Sequence, residues 1–185
     1  MTKLQLHKLV ARLQNADTRK AAFRELVEQY SEPLYWKIRH IVTFHDDADD
    51  VLQNTFIKVW QNIDSFRNES ELSTWLYRIA INEAISFVRK RKVAFVSMDD
   101  DNSYAEAFAN KLQGDIFFDQ DEAELLLQRA IASLPDVQRT VFTLKYYDEM
   151  KYSEMSRVLD TSEGALKASY HLATIKIKQY IETHR

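Results

Sequence analysis

The chain has 185 residues, no cysteine and a formal net charge of −3 at pH 7. The length suits one domain or two small ones, and the lack of cysteine excludes disulfides and thiolate metal sites and fits a reducing interior. No run of about 18 uncharged apolar residues occurs, and no apolar stretch precedes a cleavage site at the N-terminus, so we expect a soluble cytoplasmic protein.

Glycine and proline are scarce, at two residues each. Turn and strand punctuation is therefore nearly absent, and we predict an all-α protein. The charge is unevenly distributed, because nine acids and one lysine between Val96 and Glu124 give that segment −8 and leave +5 on the rest. Since screening confines phosphate attraction to about 10 Å, an acidic middle does not exclude basic nucleic-acid-binding surfaces at both ends.

The first part of the chain predicts three helices around one core. Residues 1–19 are polar, and we expect a frayed or helical lead. Helical spacing of apolar residues predicts a first helix from about Lys20, with a kink or restart at Pro33. A second helix is expected after His45, and a third from about Leu72 to Lys92. The residues expected to face the core are Phe23, Leu26, Val27, Tyr30, Leu34, Ile38, Ile41, Leu52, Phe56, Val59, Ile63, Trp75, Leu76, Ile79, Ala80, Ala84, Phe87 and Val88.

The second and third of these helices are joined by a predicted loop, Asp64–Ser70. From there to Lys92, cations and aromatics alternate with an amide, in the residues Arg67, Trp75, Tyr77, Arg78, Asn82, Arg89, Lys90, Arg91 and Lys92. Such a mixture suits a groove for single-stranded DNA, in which aromatics stack on bases and cations follow phosphates. Alternatively, Trp75 belongs to the core and the basic run complements the helix C-terminus.

His45 and the acids Asp46, Asp47, Asp49 and Asp50 allow two interpretations. Three of the carboxylates can share a helical face and offer oxygen ligands to a hard cation. We favour the second interpretation, in which acids at a helix start only complement the macrodipole. No Gly-rich phosphate loop or convincing catalytic arrangement accompanies them, so we predict neither an enzyme nor a bound metal or other cofactor.

Residues 96–120 break the helical periodicity and are predicted to form an acidic linker. Its aromatic residues, Tyr104, Phe108, Phe117 and Phe118, suggest that it can dock on another surface. A four-helix unit is expected over residues 121–185. Its first helix ends at Leu134-Pro135, and its second begins near Asp136.

The last two helices lie within Lys151–Ile181. The first breaks at Leu159-Asp160-Thr161, and Ser162 is placed to cap the second, with Glu163 in its first turn. The second carries an apolar stripe of Leu166, Tyr170, Ala173, Ile177 and Tyr180, and an outer face of Glu163, Lys167, Ala168, His171 and Lys178. This pattern is typical of a helix-turn-helix that reads a DNA major groove, and equally of an αα-hairpin with a solvated face.

Three stretches, Asp47–Phe66, Ser73–Lys92 and Leu134–Ile181, resemble conserved-region motifs two and four of the extracytoplasmic-function (ECF) class of bacterial RNA polymerase sigma factors. The resemblance implies an all-α protein with two small helical domains: a three-helix region-2 domain (1–95) and a four-helix region-4 domain (121–185) with the helix-turn-helix, joined by the acidic linker (96–120). Two alternatives are a helix-turn-helix regulator that is not a polymerase subunit, and a metal-dependent hydrolase built on His45.

The resemblance also implies roles for individual residues. Docking on the clamp of the polymerase β′ subunit is implied for Asp47, Asp50, Val51, Gln53, Asn54, Phe56, Lys58 and Trp60, with Asn54 where the family usually has Glu. Minus-ten recognition, with capture of a flipped base and contact with the melting strand, is implied for Asp64, Ser65, Phe66, Arg67, Asn68, Arg78, Asn82, Arg89, Lys90 and Arg91. Contact with the minus-thirty-five duplex is implied for Ser162, Glu163, Gly164, Lys167, Ala168 and His171.

The chain departs from the family in its last helices. Ser169, Leu172 and Thr174 stand where the family usually has Arg, so we expect fewer phosphate contacts and weaker salt dependence. Asp160 replaces a common turn glycine, and Asp tolerates left-handed backbone better than most residues. The implied partners are core RNA polymerase (β′ clamp and β flap), promoter DNA and an anti-sigma factor, often membrane-bound in the family, with no small-molecule substrate.

Overall fold

The computed structural model describes residues 3–67, 71–96 and 122–184. These ranges form eight α-helices and one 3₁₀ turn, with no strand, so the all-α prediction is confirmed. The helices are α1 (Lys3–Gln14), α2 (Arg19–Val42), α3 (His45–Asn62), α4 (Leu72–Val96), α5 (Glu122–Ala132), α6 (Asp136–Tyr146), α7 (Tyr152–Leu159) and α8 (Glu163–His184), and the 3₁₀ turn is Ile63–Ser65. Of these helices, none has the length and hydrophobicity that crossing a membrane requires. Nearly all of the predicted acidic linker, including its four aromatics, lies outside the described residues.

The N-terminal lead is a packed helix. In α1, Leu9, Val10 and Leu13 lie on one face and are almost completely buried in the core of the protein. Of the two expectations for residues 1–19, the helical one is therefore confirmed for the part that is described. The burial of these three side chains anchors α1 to the core. This packing was not predicted, because the segment is polar and has few apolar positions.

Pro33 lies inside α2 without interrupting it. The helix runs from Arg19 to Val42, so the predicted possibility of a restart at Pro33 is wrong. A proline removes one backbone hydrogen bond and crowds the preceding turn. However, Tyr30, Leu34 and Ile38 are buried on the turns at either side of it. This packing holds the helix continuous, because most helical stability in proteins comes from burial of an apolar face.

Helices α2, α3 and α4 pack on one another as the sequence predicted. Val59, Leu76, Ala80, Ala84 and other expected core residues are buried, and α4 continues four residues past Lys92, to Val96. The buried line of α3 differs in detail, since it runs through Ala48, Val51, Thr55 and Val59 while Leu52 and Phe56 are only partly covered. At these two turns of α3, the most buried positions, Val51 and Thr55, are therefore one residue earlier than Leu52 and Phe56, which were expected.

The C-terminal helices form the predicted four-helix unit, with a small apolar cluster of their own around Phe142, Ala173 and Ile177. They also pack against the first unit, α6 on α2 and α7 on α4. The largest apolar cluster therefore continues through both units, and the residues that the C-terminal unit adds to it are Val141, Leu144, Met150, Met155, Val158 and Leu166. The domain boundaries inferred from the sequence stay a prediction.

Asp148, between α6 and α7, makes a charged contact across this interface. Its Oδ1 lies 3.3 Å from His40 Nδ1 and 3.6 Å from Lys37 Nζ, and its side chain is 7% exposed. The Lys37 ammonium lies 4.9 Å from the centre of the Tyr77 ring, and the His40 ring stacks on Tyr147. Burial, with smaller contributions from the charges of Glu154 and Asp148, raises the pKa of Tyr77.

We expect Asp148→Ala to lower the free energy of unfolding by about 1–3 kcal/mol, because it leaves the largely buried Lys37 without its carboxylate. The measurement is urea unfolding of the full chain. Glu25→Ala is the matched control, since Glu25 pairs with Arg12 at the surface and such pairs contribute about 0–1 kcal/mol. Equal losses in the two variants would show that the Asp148 contact does not stabilise the interface.

Asp160 ends α7 in the left-handed conformation, with φ 52° and ψ 45°. The N–H groups of Asp160 and Thr161 both donate to the carbonyl of Ser156 and close the helix. The expectation that Asp takes over the conformation of a turn glycine is therefore confirmed.

We expect Asp160→Val to lower the free energy of unfolding by about 1–2 kcal/mol, because a β-branched residue is strained at positive φ. Asp160→Gly should be neutral or slightly stabilising, since glycine populates this region freely. Thermal melts of both variants check the pair. A valine variant as stable as the glycine variant would contradict the expectation.

Candidate nucleic-acid interface

Helices α7 and α8 have the geometry predicted for a helix-turn-helix. The Ser162 hydroxyl caps α8 by accepting a hydrogen bond from the N–H of Ala165 at 3.3 Å. Leu166, Ala173 and Ile177 are buried along the inner face, as expected. The residues predicted to contact duplex DNA, Ser162, Glu163, Gly164, Lys167, Ala168 and His171, are all exposed at the N-terminal half of α8. A side chain built at Gly164 would meet no atom within 4 Å, so this face is open.

Cations are sparse on this face. Lys167 Nζ lies 3.9 Å from a Glu163 carboxylate oxygen and 5.6 Å from the centre of the Tyr152 ring. At two of the positions where the resemblance predicted Arg, Leu172 is 47% exposed and the Thr174 hydroxyl donates to the carbonyl of His171. Lys167 is therefore the main candidate for a phosphate contact here, and a weak salt dependence stays the prediction.

The outer face of α4 carries an open basic strip. Arg78, Asn82 and Arg89 share one helical face, with Lys90 beside it, and all four are exposed. In the described ranges of the chain, no ion pair engages Arg78, Arg89 or Lys90. We call these four residues the α4 strip. Arg91, in contrast, forms an ion pair with Asp47 and lies 5.0 Å from the centre of the Phe44 ring, so it links α4 to the start of α3.

The predicted minus-ten loop begins with the 3₁₀ turn Ile63–Ser65. Phe66 follows it and is buried, with its ring 5.2 Å from that of Trp75. Asp64, Ser65 and Arg67 are exposed, and Asn68 lies outside the described residues. Phe66 therefore anchors the loop in the core, and Trp75 is partly buried against it, as the core interpretation of Trp75 expected. Tyr77, the other aromatic of the proposed groove, is half-buried at the contact between the two units.

The residues predicted to dock on polymerase divide into two groups. Asp50, Gln53, Asn54 and Trp60 are exposed on the outer face of α3. The others are engaged within the fold: Val51 is buried, Phe56 packs edge-on against Phe23, Lys58 pairs with Glu83 and Asp47 pairs with Arg91. Their side chains therefore orient α3, and the outer face is the part that a partner can contact.

Ile57 is an outer-face residue that the sequence reasoning missed. Its side chain is 49% exposed, between Gln53 and Trp60 on the same helical face. Trp60 is 40% exposed and packs edge-on against Phe23 at 4.9 Å between ring centres. The spacing of Gln53, Ile57 and Trp60 places them on one helical face, and this spacing was the signal for Ile57. The resemblance implied the neighbouring Phe56 as the docking residue instead. Ile57 and Trp60 together give the outer face of α3 an exposed apolar area.

His45 and its acids are not gathered around a common point. His45 Nδ1 lies 2.7 Å from the Tyr35 hydroxyl, and its Nε2 lies 3.5 Å from an Asp49 carboxylate oxygen. Asp46 and Asp50 are exposed. Across the part of the chain that the structure describes, no three His, Cys, Asp or Glu side chains are arranged to hold a metal ion.

Two family profiles match the chain. The profile described as Sigma-70 region 2 covers residues 26–93, and that described as Sigma-70, region 4, covers residues 124–177. The first includes α3 and the α4 strip, and the second includes α7 and the N-terminal two thirds of α8, to residue 177. Both candidate DNA-contacting surfaces therefore lie within matched regions.

Curated relatives match over most of their lengths. The ECF RNA polymerase sigma factor SigW of Bacillus subtilis is 32% identical over an alignment of 157 residues, and the match covers 81% of this chain and 83% of SigW. The ECF RNA polymerase sigma-E factor of Escherichia coli K12 is 31% identical over 166 residues, covering 86% and 85% of the two chains. The RNA polymerase sigma-H factor of Pseudomonas aeruginosa is 30% identical over 178 residues, covering 91% and 89%.

Two solved structures share the fold. CnrH, in complex with the cytosolic domain of CnrY, superposes with a TM-score of 0.66 at 22% identity, covering 97% of this chain and 99% of CnrH. RpoE of Bartonella quintana, in complex with the anti-sigma factor NepR, gives a TM-score of 0.60 at 21% identity, covering 88% and 98%. At these identities the likeness extends to the fold.

Proposed function

The chain belongs to the ECF class of RNA polymerase sigma factors, and we propose from its surfaces how it performs promoter-directed initiation. It acts as an initiation factor without catalytic chemistry of its own: it binds core polymerase, places it at a promoter and helps to open the DNA. The observation that carries the proposal is the α4 strip, an exposed basic face on the helix that follows the loop beginning at Asp64. Exposed cations next to a loop suit an unpaired strand with displaced bases.

The outer face of α3 is the proposed polymerase surface. Asp50, Gln53 and Asn54 supply polar contacts, and Ile57 and Trp60 supply exposed apolar area. Interfaces take most of their affinity from a few large side chains at a water-excluded centre, which suits the Ile57–Trp60 pair. The partner surface in this proposal is the β′ clamp, with the β flap engaged by the C-terminal unit.

Promoter opening is proposed for the loop and the α4 strip together. Extruding a base costs a few kcal/mol. This cost is offset by phosphate contacts to Arg78, Arg89 and Lys90, together with a base-edge contact to Asn82. The exposed half of α8 places the protein on the minus-thirty-five duplex through Lys167, His171 and the helix start. With so few cations there, the upstream contact orients the protein, and the α4 strip contributes most of the opening.

The packed arrangement of the two units is proposed to open when the protein joins polymerase. Elements 25 base pairs apart, as minus-ten and minus-thirty-five are, lie about 85 Å from each other along B-DNA. A compact chain of 185 residues has a radius of gyration of about 16 Å. A chain that stays folded on itself is too small to span both elements, so the contact around Asp148 has to separate.

An anti-sigma factor is the remaining proposed partner. CnrH is solved with the cytosolic domain of CnrY and RpoE with the anti-sigma factor NepR, and this chain shares the fold of both. A protein that binds one or both units in the packed form would oppose the opening described above. The same proposal includes an anti-sigma factor that is anchored in a membrane.

The test is transcription in vitro with core polymerase and genomic DNA of the organism that encodes the chain. Starts at defined promoters are expected only when the chain is added. Asp50→Ala should weaken binding to core polymerase, whereas Asn82→Ala should leave that binding intact and reduce the permanganate reactivity of unpaired thymines. A regulator of another type would bind promoter DNA tightly without polymerase. The absence of promoter-specific starts would overturn the proposal.

A further inference from the structure

Helix α1 is tied to the loop that follows α3. The side-chain amide of Gln14, the last residue of α1, donates to the carbonyl oxygen of Phe66 at 2.8 Å and to that of Ile63 at 3.3 Å. These carbonyls belong to the first residue of the 3₁₀ turn and to the residue directly after it. One side chain therefore fixes both ends of the turn, from a helix about 50 residues away in the sequence.

A second contact joins the same elements. The Arg19 guanidinium donates through Nε to the carbonyl of Leu13 at 2.9 Å and forms an ion pair with Asp64. It also lies 6.0 Å from the centre of the Trp60 ring. The end of α1, the start of α2 and Asp64 of the turn are thus linked through one cation.

The turn is held from two sides. Phe66 and Trp75 pack beneath it in the core, and Gln14 holds its backbone from the α1 side. Helix α1 is itself fixed by the buried Leu9, Val10 and Leu13. Surface loops are normally mobile, and a site that receives an extruded base gains from being formed beforehand, because ordering it on binding would add to the cost of extrusion.

We propose that α1 is part of the promoter-opening apparatus and that Gln14 is a positioning residue for base capture. Gln14 acts through the backbone: by fixing the carbonyls of Ile63 and Phe66, it sets the path on which the chain leaves the core toward Arg67. This inference rests on the proposed role of the loop in capturing a minus-ten base. It adds a requirement for α1, which lies outside the matched region 2.

The test uses the full chain with core polymerase and a single-stranded oligonucleotide carrying the non-template minus-ten sequence of a promoter mapped as above. A matched set of oligonucleotides lacks one base at each position in turn. In the unsubstituted protein, affinity should drop at the position of the captured base. Gln14→Glu keeps the shape of the side chain but replaces the donating amide with a carboxylate. Gln14→Ala removes both the shape and the donating amide.

Gln14→Ala should bind the intact strand about three- to tenfold more weakly, the range that one or two neutral hydrogen bonds support. Gln14→Glu should lose at least as much, because its carboxylate faces two carbonyl oxygens. On the strand that lacks the captured base, they should bind as the unsubstituted protein does. Arg12→Ala is the control on the same helix, since Arg12 pairs with Glu25 instead of the loop, and it should bind both strands normally. The active fraction of each variant is fixed by its binding to core polymerase, so partial unfolding is separated from a loss of positioning.

Two results in the variants would overturn the role of Gln14: unchanged binding to the intact strand, or an equal loss on both strands. The second would mean that α1 supports the fold in general and not base capture. If the unsubstituted protein is indifferent to base removal at every position, the base-capture function itself fails. That outcome appears in the unsubstituted protein, so it is distinguishable from a failure of the positioning role proposed for Gln14.

Discussion

Ile57→Glu is expected to weaken binding to core polymerase about a hundredfold, equivalent to about 2.7 kcal/mol, while leaving the fold intact. Ile57 is half exposed, so a carboxylate at this position stays hydrated in the free protein. When a partner covers the outer face of α3, that carboxylate loses its water without gaining a cation, and burying an unpaired charge is costly. Equilibrium binding of a labelled chain to core polymerase measures the loss, and circular dichroism melts monitor the fold.

Leu4→Glu is the matched control, because Leu4 is 66% exposed and belongs to α1, which is not part of the proposed polymerase surface. It makes the same type of change, from an exposed aliphatic residue to a carboxylate, and should bind polymerase as the unsubstituted chain does. If both variants bind within about twofold of the unsubstituted protein, less than 0.5 kcal/mol, then the outer face of α3 is not the docking surface.

The helix-turn-helix was predictable in detail because its determinants are local. A hydroxyl at Ser162, an acid at Glu163 and an apolar stripe from Leu166 to Ile177 specify the start and the buried face of α8 within a few residues. Each of these signals acts over one or two turns, so no knowledge of other helices is needed. Asp160 is also specified locally, because it ends α7 at the turn between the two helices, where a left-handed residue closes the helix.

The features that sequence reasoning missed depend on distant partners. Phe56 and Ile57 are adjacent and both apolar, and packing against distant residues, Phe23 among them, decides which of the two is covered. Pro33 looks like a break until the burial of residues before and after it is known. The continuous apolar cluster through both units likewise needs α7 to meet α4, and no pattern within either helix specifies that contact.

Charged residues show the same limit. Arg91 and Arg89 are two residues apart in one basic run and look equivalent in the sequence. In the structure, Arg91 forms an ion pair with Asp47 while Arg89 is exposed on the α4 strip. A count of cations therefore overestimates the number that can meet phosphates. Among the α4 cations whose side chains the structure describes, Arg78, Arg89 and Lys90 stay as proposed strand contacts, and the side chain of Lys92 lies outside that description.

Replacing these three cations together by alanine is expected to weaken strand binding by the polymerase complex on the order of 10- to 100-fold near 0.15 M salt. The slope of log affinity against log salt should become shallower by about 2, since each contact to a single-stranded phosphate contributes about 0.7. Binding to core polymerase should not change, because the outer face of α3 keeps its residues. A salt titration with a fluorescent minus-ten oligonucleotide measures both quantities.

The control replaces Lys8, Lys20 and Arg24, exposed cations of α1 and α2, and so removes the same amount of charge from a different surface. If strand binding responded to the net charge of the chain, the two triple variants would lose equal affinity. The predicted dependence on position follows from screening, because a cation more than about 10 Å from the strand contributes little at this salt concentration. A slope that the α4 substitutions leave unchanged would mean that phosphates are contacted elsewhere, and the proposed path of the melted strand along α4 would be wrong.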